Sequence, residues 1–198
     1  MQILNEQQTS VISNKIGYFF DELISKYEGK KYNEAVYIKL ATDFECLNDI
    51  QDSHIDIALA WKYGKSLENL PKNPKHQATL SKIKNNWGAF LDRRHNNGIA
   101  IFQYWIEILP TSFITAAFIA HLCKPEEVPI VDQHNFRAVR YFLSEVNSSE
   151  NISKNPKTWD EIVLVKKFID TFASENSVPA RELDKYLMMF GKHVAPRV

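Results

Sequence analysis

Three side chains suited to acting on a substrate fall within six positions of one another: Asp132, His134 and Arg137, in the run Val128-Pro-Ile-Val-Asp-Gln-His-Asn-Phe-Arg137. A carboxylate at this point can be a catalytic acid. It can equally be the cap of the helix that the following residues predict, worth about 1 kcal/mol. The two roles are compatible, and residue types alone leave both open. His134 reads as hydrogen-bonding support rather than as a base. Arg137 and Arg140 suit pairing with carboxylates inside the fold, or contact with phosphate. His121 and Cys123 extend the cluster, but with Asp132 and His134 they match no standard metal spacing. Two residues apart on one helix, His121 and Cys123 point to different faces. A packed cysteine, a hydrogen-bonded histidine and no metal are expected.

Other chemistries are not offered by the chain. It has no G-x-G-x-x-G, no G-x-x-x-x-G-K-[ST], no G-x-S-x-G and no H-E-x-x-H. Phe102-Gln-Tyr-Trp-Ile-Glu-Ile108 would serve base stacking if exposed. Aromatics at helical spacing are more often core, and core is the expectation here.

The elements that must position these residues are helical. Spacing of three and four recurs, as in Leu183, Tyr186, Leu187 and Phe190, in Phe136, Val139, Arg140 and Leu143, and in Ile162, Val165, Ile169 and Phe172. Thr158-Trp-Asp-Glu161 has capping-box spacing, Ser53-His-Ile-Asp56 is a weaker signal of that type, and Pro179 suits a first turn. Helices are predicted near 8–27, 32–48, 53–63, 77–92, 97–108, 111–123, 133–146, 158–175 and 179–191. An all-α chain follows, without internal repeats or low-complexity tracts. Its 198 residues, 44% hydrophobic and 12% aromatic, are enough for one domain over 1–198 or two closely packed lobes.

Charge balances to zero but is unevenly spread. Residues 1–60 carry 5 basic and 10 acidic side chains, residues 61–124 carry 9 and 3, and residues 125–198 carry 10 and 11. A basic middle third can follow phosphates or simply be a solvated face. Cys46 and Cys123 are too far apart and too few for a four-cysteine site, and suit a reducing compartment. With no secretory leader and no long apolar run, a soluble cytoplasmic or nucleoid-associated protein is expected.

The longer segment 108–143, "ILPTSFITAAFIAHLCKPEEVPIVDQHNFRAVRYFL", orders these pieces in a known way. Leu109-Pro110 open a turn, Thr115-Ala116 start a small-residue helix, and Asp132, His134 and Arg137 follow, with 22 positions from Pro110 to Asp132. This arrangement resembles the helix-hairpin-helix base-excision DNA glycosylases, the endonuclease III-like superfamily, over about a fifth of the chain. The resemblance implies a glycosylase-like fold of two helical lobes with a cleft between them. It implies a partner in double-stranded DNA carrying a damaged or modified base, a flipped nucleotide, and hydrolysis of its N-glycosidic bond in base-excision DNA repair chemistry. Asp132 would be the catalytic carboxylate, supported by His134 and Arg137. Thr111, Ser112 and Phe113 would form the phosphate-holding hairpin, and Lys72, Lys75, Lys82, Lys84, Arg93 and Arg94 would track the DNA backbone. The hairpin lacks the family's two glycines. Ile114 stands where bifunctional members carry a Schiff-base lysine, so no lyase step is expected. The C-terminal iron–sulfur cysteines of some members are absent, so no cofactor is expected. Two other readings remain: a glycosylase-fold scaffold without chemistry that binds DNA structures or a protein, and a helical interaction module. An exposed Trp159–Phe172 stripe would mark the last of these.

Overall fold

Short polar side chains decide where most of the helices begin. The computed structural model describes residues 4–93, 97–146 and 155–196. Among them lie nine α-helices, two short 3-10 turns and no strand. The helices are α1 (Glu6–Ser25), α2 (Glu34–Asp43), α3 (Asp52–Tyr63), α4 (Pro74–Asp92), α5 (Gly98–Ile108), α6 (Phe113–Cys123), α7 (Gln133–Glu145), α8 (Trp159–Glu175) and α9 (Ala180–His193). Asn5, Asn33, Asn73, Asn97, Asp132 and Thr158 each accept a first-turn backbone N–H, satisfying donors that a helix start leaves open. The Thr158–Glu161 capping box expected from spacing is present in full. None of the described helices is long and apolar enough to cross a membrane.

Every expected helix is present, and the differences are at the ends. The second stops at Asp43 rather than continuing to 48, and the chain then turns so that Phe44 is buried, 5.8 Å and edge-on from Trp87. The 3-10 turn Leu47–Asp49 prolongs the helical spacing in sequence beyond the real end. The third helix starts after Gln51, whose N–H donates to His54 Nδ1 at 3.0 Å, and not at Ser53. Pro179 caps α9 from outside instead of sitting in its first turn.

The chain divides into two compact units. One, Met1–Tyr27 with Pro129–Val198, contains α1, α7, α8 and α9. Its centre is aromatic: Phe142, Phe168, Phe172, Tyr186 and Phe190 are all buried, with Phe142 and Phe190 ring centroids 4.5 Å apart. Gly191 lets α9 approach α7 closely, for a Cβ there would lie 1.8 Å from the His134 carbonyl oxygen. The other unit, Glu28–Val128, contains α2 to α6. Trp87 and Trp105 stack at 5.7 Å, and Trp61 stacks on Phe118 at 5.7 Å. The segment Phe102–Trp105 supplies core rather than a stacking platform, with Phe102, Tyr104 and Trp105 all buried.

Candidate functional site

Asp132 is the N-cap of α7 and is half-buried. One carboxylate oxygen, Oδ1, accepts both the His134 N–H at 2.6 Å and the Asn135 N–H at 2.8 Å. The Asp132 N–H donates in return to Asn135 Oδ1 at 2.9 Å, completing a capping box. The second oxygen, Oδ2, accepts no hydrogen bond among the described residues. The cap therefore uses only half of the carboxylate.

What holds this helix start was not apparent in the sequence. Asn135 is fully buried, and its amide donates to Ile130 O at 2.6 Å and to Asp184 Oδ1 at 3.0 Å on α9. Asp184, itself buried, accepts from Arg181 at 2.8 Å through Oδ2. Such a satisfied polar chain fixes the α7 start against α9, since each member would be costly to leave unpaired. Arg137 adds a second tie, donating to Gly191 O at 2.8 Å. One guanidinium nitrogen of Arg137 also lies 3.4 Å from Nδ1 of the half-buried His134. Asp132, His134 and Arg137 thus share one helix start, with the Arg137 guanidinium turned to the α9 backbone.

The hairpin residues lie in the other unit, in the turn from α5 to α6. Thr111 is exposed, while Ser112 and Phe113 are half-buried. Ser112 N–H donates to Leu109 O at 2.9 Å, but its hydroxyl makes no capping bond to α6. Phe113 packs edge-on against Phe102 at 5.0 Å. Thr115 and Ala116 are buried, and the Thr115 hydroxyl is 3.1 Å from that of Tyr63. Burial holds the Tyr63 phenol above its ordinary value. Tyr63 stacks flat on His76 at 3.9 Å, and burial, aided by Lys65, lowers the His76 pKa and favours the neutral ring.

The basic residues divide into several settings. Lys75 and Lys82, seven apart, share an exposed face of α4. Lys84 lies on the opposite side of that helix, 2.7 Å from Asp56 and 3.8 Å from Asp52, so its charge is already matched. Lys72 is exposed and donates to Asn69 at 2.7 Å. Arg93 stacks over the Tyr104 ring at 5.0 Å. Arg94 lies outside the described residues.

Among the described residues, no three His, Cys, Asp or Glu side chains gather as a metal ion would require. His121 is buried between Val128 O, 2.7 Å from Nδ1, and the Tyr37 hydroxyl, 2.9 Å from Nε2. Cys123 is buried, which pushes its thiol up. These are the packed cysteine and bonded histidine expected. The Trp159–Phe172 face is turned inward, with Ile162, Val165, Ile169 and Phe172 buried and Trp159 half-buried, so no exposed stripe exists there. No known family model, curated protein or solved structure matches the chain.

Proposed function

We propose that the chain is a helix-hairpin-helix-type monofunctional DNA glycosylase that hydrolyses the N-glycosidic bond of a damaged or modified base, with Asp132 as its carboxylate. The observation that carries this reading is the half-used cap. Oδ1 anchors Asp132 to α7, and the Asn135–Asp184 chain keeps that helix start from moving, while Oδ2 is left for chemistry. As the base departs, positive charge grows on the sugar. A fixed carboxylate stabilises that charge, and can also accept a proton from the water that adds to the sugar carbon. The α5–α6 turn supports the same reading, because the Ser112 hydroxyl is not engaged in capping and remains able to donate to a phosphate. The division of the chain into two helical units accords with two lobes.

Two substitutions separate catalysis from capping. Asparagine caps as well as aspartate, so Asp132→Asn should abolish base release while leaving melting and DNA binding nearly unchanged. Asp132→Ala should lose base release and also about 1 kcal/mol of stability. Full base release by Asp132→Asn would refute the assignment. A glycosylase-fold scaffold without chemistry is the second reading, favoured by one observation: Arg137 and Asn135 both face the fold's own polar groups. Salt-dependent DNA binding without release of any tested base by the wild type would support that alternative.

A further inference from the structure

The unit Glu28–Val128 contains a pocket of about 390 Å³ that the glycosylase reading does not use. A volume of this order holds a small organic molecule. Its floor is hydrocarbon, formed by Val36 and Leu40 of α2 and Ile57, Ala60 and Trp61 of α3. The one polar atom of the Trp61 side chain is engaged, since the indole N–H donates to Asn33 O at 2.9 Å. The floor side chains therefore have no spare donor or acceptor with which to recognise a base edge or a sugar. Around this floor stand four lysines, Asn33, whose Oδ1 already accepts the Val36 N–H at 3.2 Å, and a single carboxylate, Asp43. Lys39 pairs with Asp43 at 2.7 Å and Lys31 lies 3.6 Å from Glu28, whereas Lys30 and Lys65 have no ion-pair partner among the described residues. Leu67, also in the lining, is 52% exposed, one of few large apolar side chains left so open.

We propose that this pocket binds a small anionic amphiphile, of the class of medium-chain or aromatic carboxylates. The apolar body lies on the Val36–Trp61 floor and is covered by Leu67. The carboxylate meets the unpaired lysines at the rim. Burial of the hydrocarbon supplies most of the affinity, and the lysines select the sign of the head group.

Titration calorimetry on the whole chain tests this with decanoate and with decyltrimethylammonium, which has a similar tail and the opposite charge. Decanoate should bind with one site per chain and a dissociation constant below about 1 mM, weakening as salt is raised, and the cation should not bind. The double variant Lys30→Glu/Lys65→Glu should weaken decanoate at least about tenfold with unchanged melting, because neither lysine holds the fold together. Val36→Trp, which fills the floor, should abolish binding. Absent decanoate binding, equal binding of both amphiphiles, or loss of duplex-DNA affinity in the double variant without an effect on decanoate would each overturn the proposal. The last result would make the rim a DNA surface. Neither Asp132 nor the hairpin lines the pocket, so the outcome is independent of base release.

Discussion

Replacing Gly191 by alanine is the most informative single change for the unit that carries Asp132. A Cβ at that position would lie 1.8 Å from the His134 carbonyl oxygen and 2.6 Å from its carbon. Both are helix backbone atoms, so no side-chain rotation relieves the clash. To reach even 3.0 Å, α9 and α7 must part by about 1.2 Å at their closest point. That movement loosens the Arg137–Gly191 O and Asn135–Asp184 hydrogen bonds together with the packing of Phe142 on Phe190. Overpacking of this kind, with a charged hydrogen bond impaired, costs about 3 kcal/mol. For a chain of this size, the melting temperature should fall by roughly 6–12 °C, read by circular dichroism. Gly17→Ala on α1 of the same unit is the control, since no atom of the described residues lies within 4 Å of a Cβ there. It should stabilise by about 0.5–1 kcal/mol through helix propensity alone. If Gly191→Ala melted within a degree of wild type, the close approach of α7 and α9 would be refuted, and with it the rigidity argued for the Asp132 cap.

Three further outcomes follow from buried and paired groups. The Tyr186 hydroxyl is buried with no hydrogen-bond partner among the described residues, so Tyr186→Phe should raise stability by about 1 kcal/mol in a urea melt, and a loss would show that the hydroxyl has a partner. A thiol-reactive disulfide reagent should modify the exposed Cys46 rapidly and leave the buried Cys123 untouched until the chain is unfolded. The Lys15 ammonium, 2.7 Å from Glu145, holds the Glu145 carboxyl below its ordinary 4.5. Because the folded value is the depressed one, the contribution is present above pH 4.5 and is lost as pH falls through the folded value. Glu145 is 41% exposed, so the loss on Glu145→Gln should be about 0.5 kcal/mol or less at pH 7 and vanish in acid melts.

The helices were legible because what starts them is local. Thr158 and Glu161, or Asp132 and the first turn of α7, interact across three residues, and the apolar stripes of α8 and α9 repeat at helical spacing. Where the end of an element is set by tertiary burial, as with Phe44 beyond α2, the pattern ran past it. The candidate site was legible in the same proportion. Asp132 as a helix cap could be read from its neighbours, but its anchoring could not. Asn135 meets Asp184 across 49 positions, and His121 meets Tyr37 across 84. Nothing in sequence spacing reports such pairs. Gly191 gives no signal either, because its role lies in what the opposite helix brings to it. The grouping of basic residues by sequence also failed to separate Lys84, whose partners are on α3, from Lys75 and Lys82.

The proposed role of Asp132 and the α5–α6 turn is that of a DNA glycosylase. It is tested most directly by fluorescence anisotropy with two duplexes, one undamaged and one containing a tetrahydrofuran abasic-site analogue, over a salt series. This measurement does not depend on knowing the target base, because the abasic site resembles the product of any of these enzymes. Tighter binding to the abasic duplex, weakening as salt rises, is the result predicted. Equal affinity for both duplexes, or none for either, would contradict the glycosylase role and leave Asp132 a helix cap.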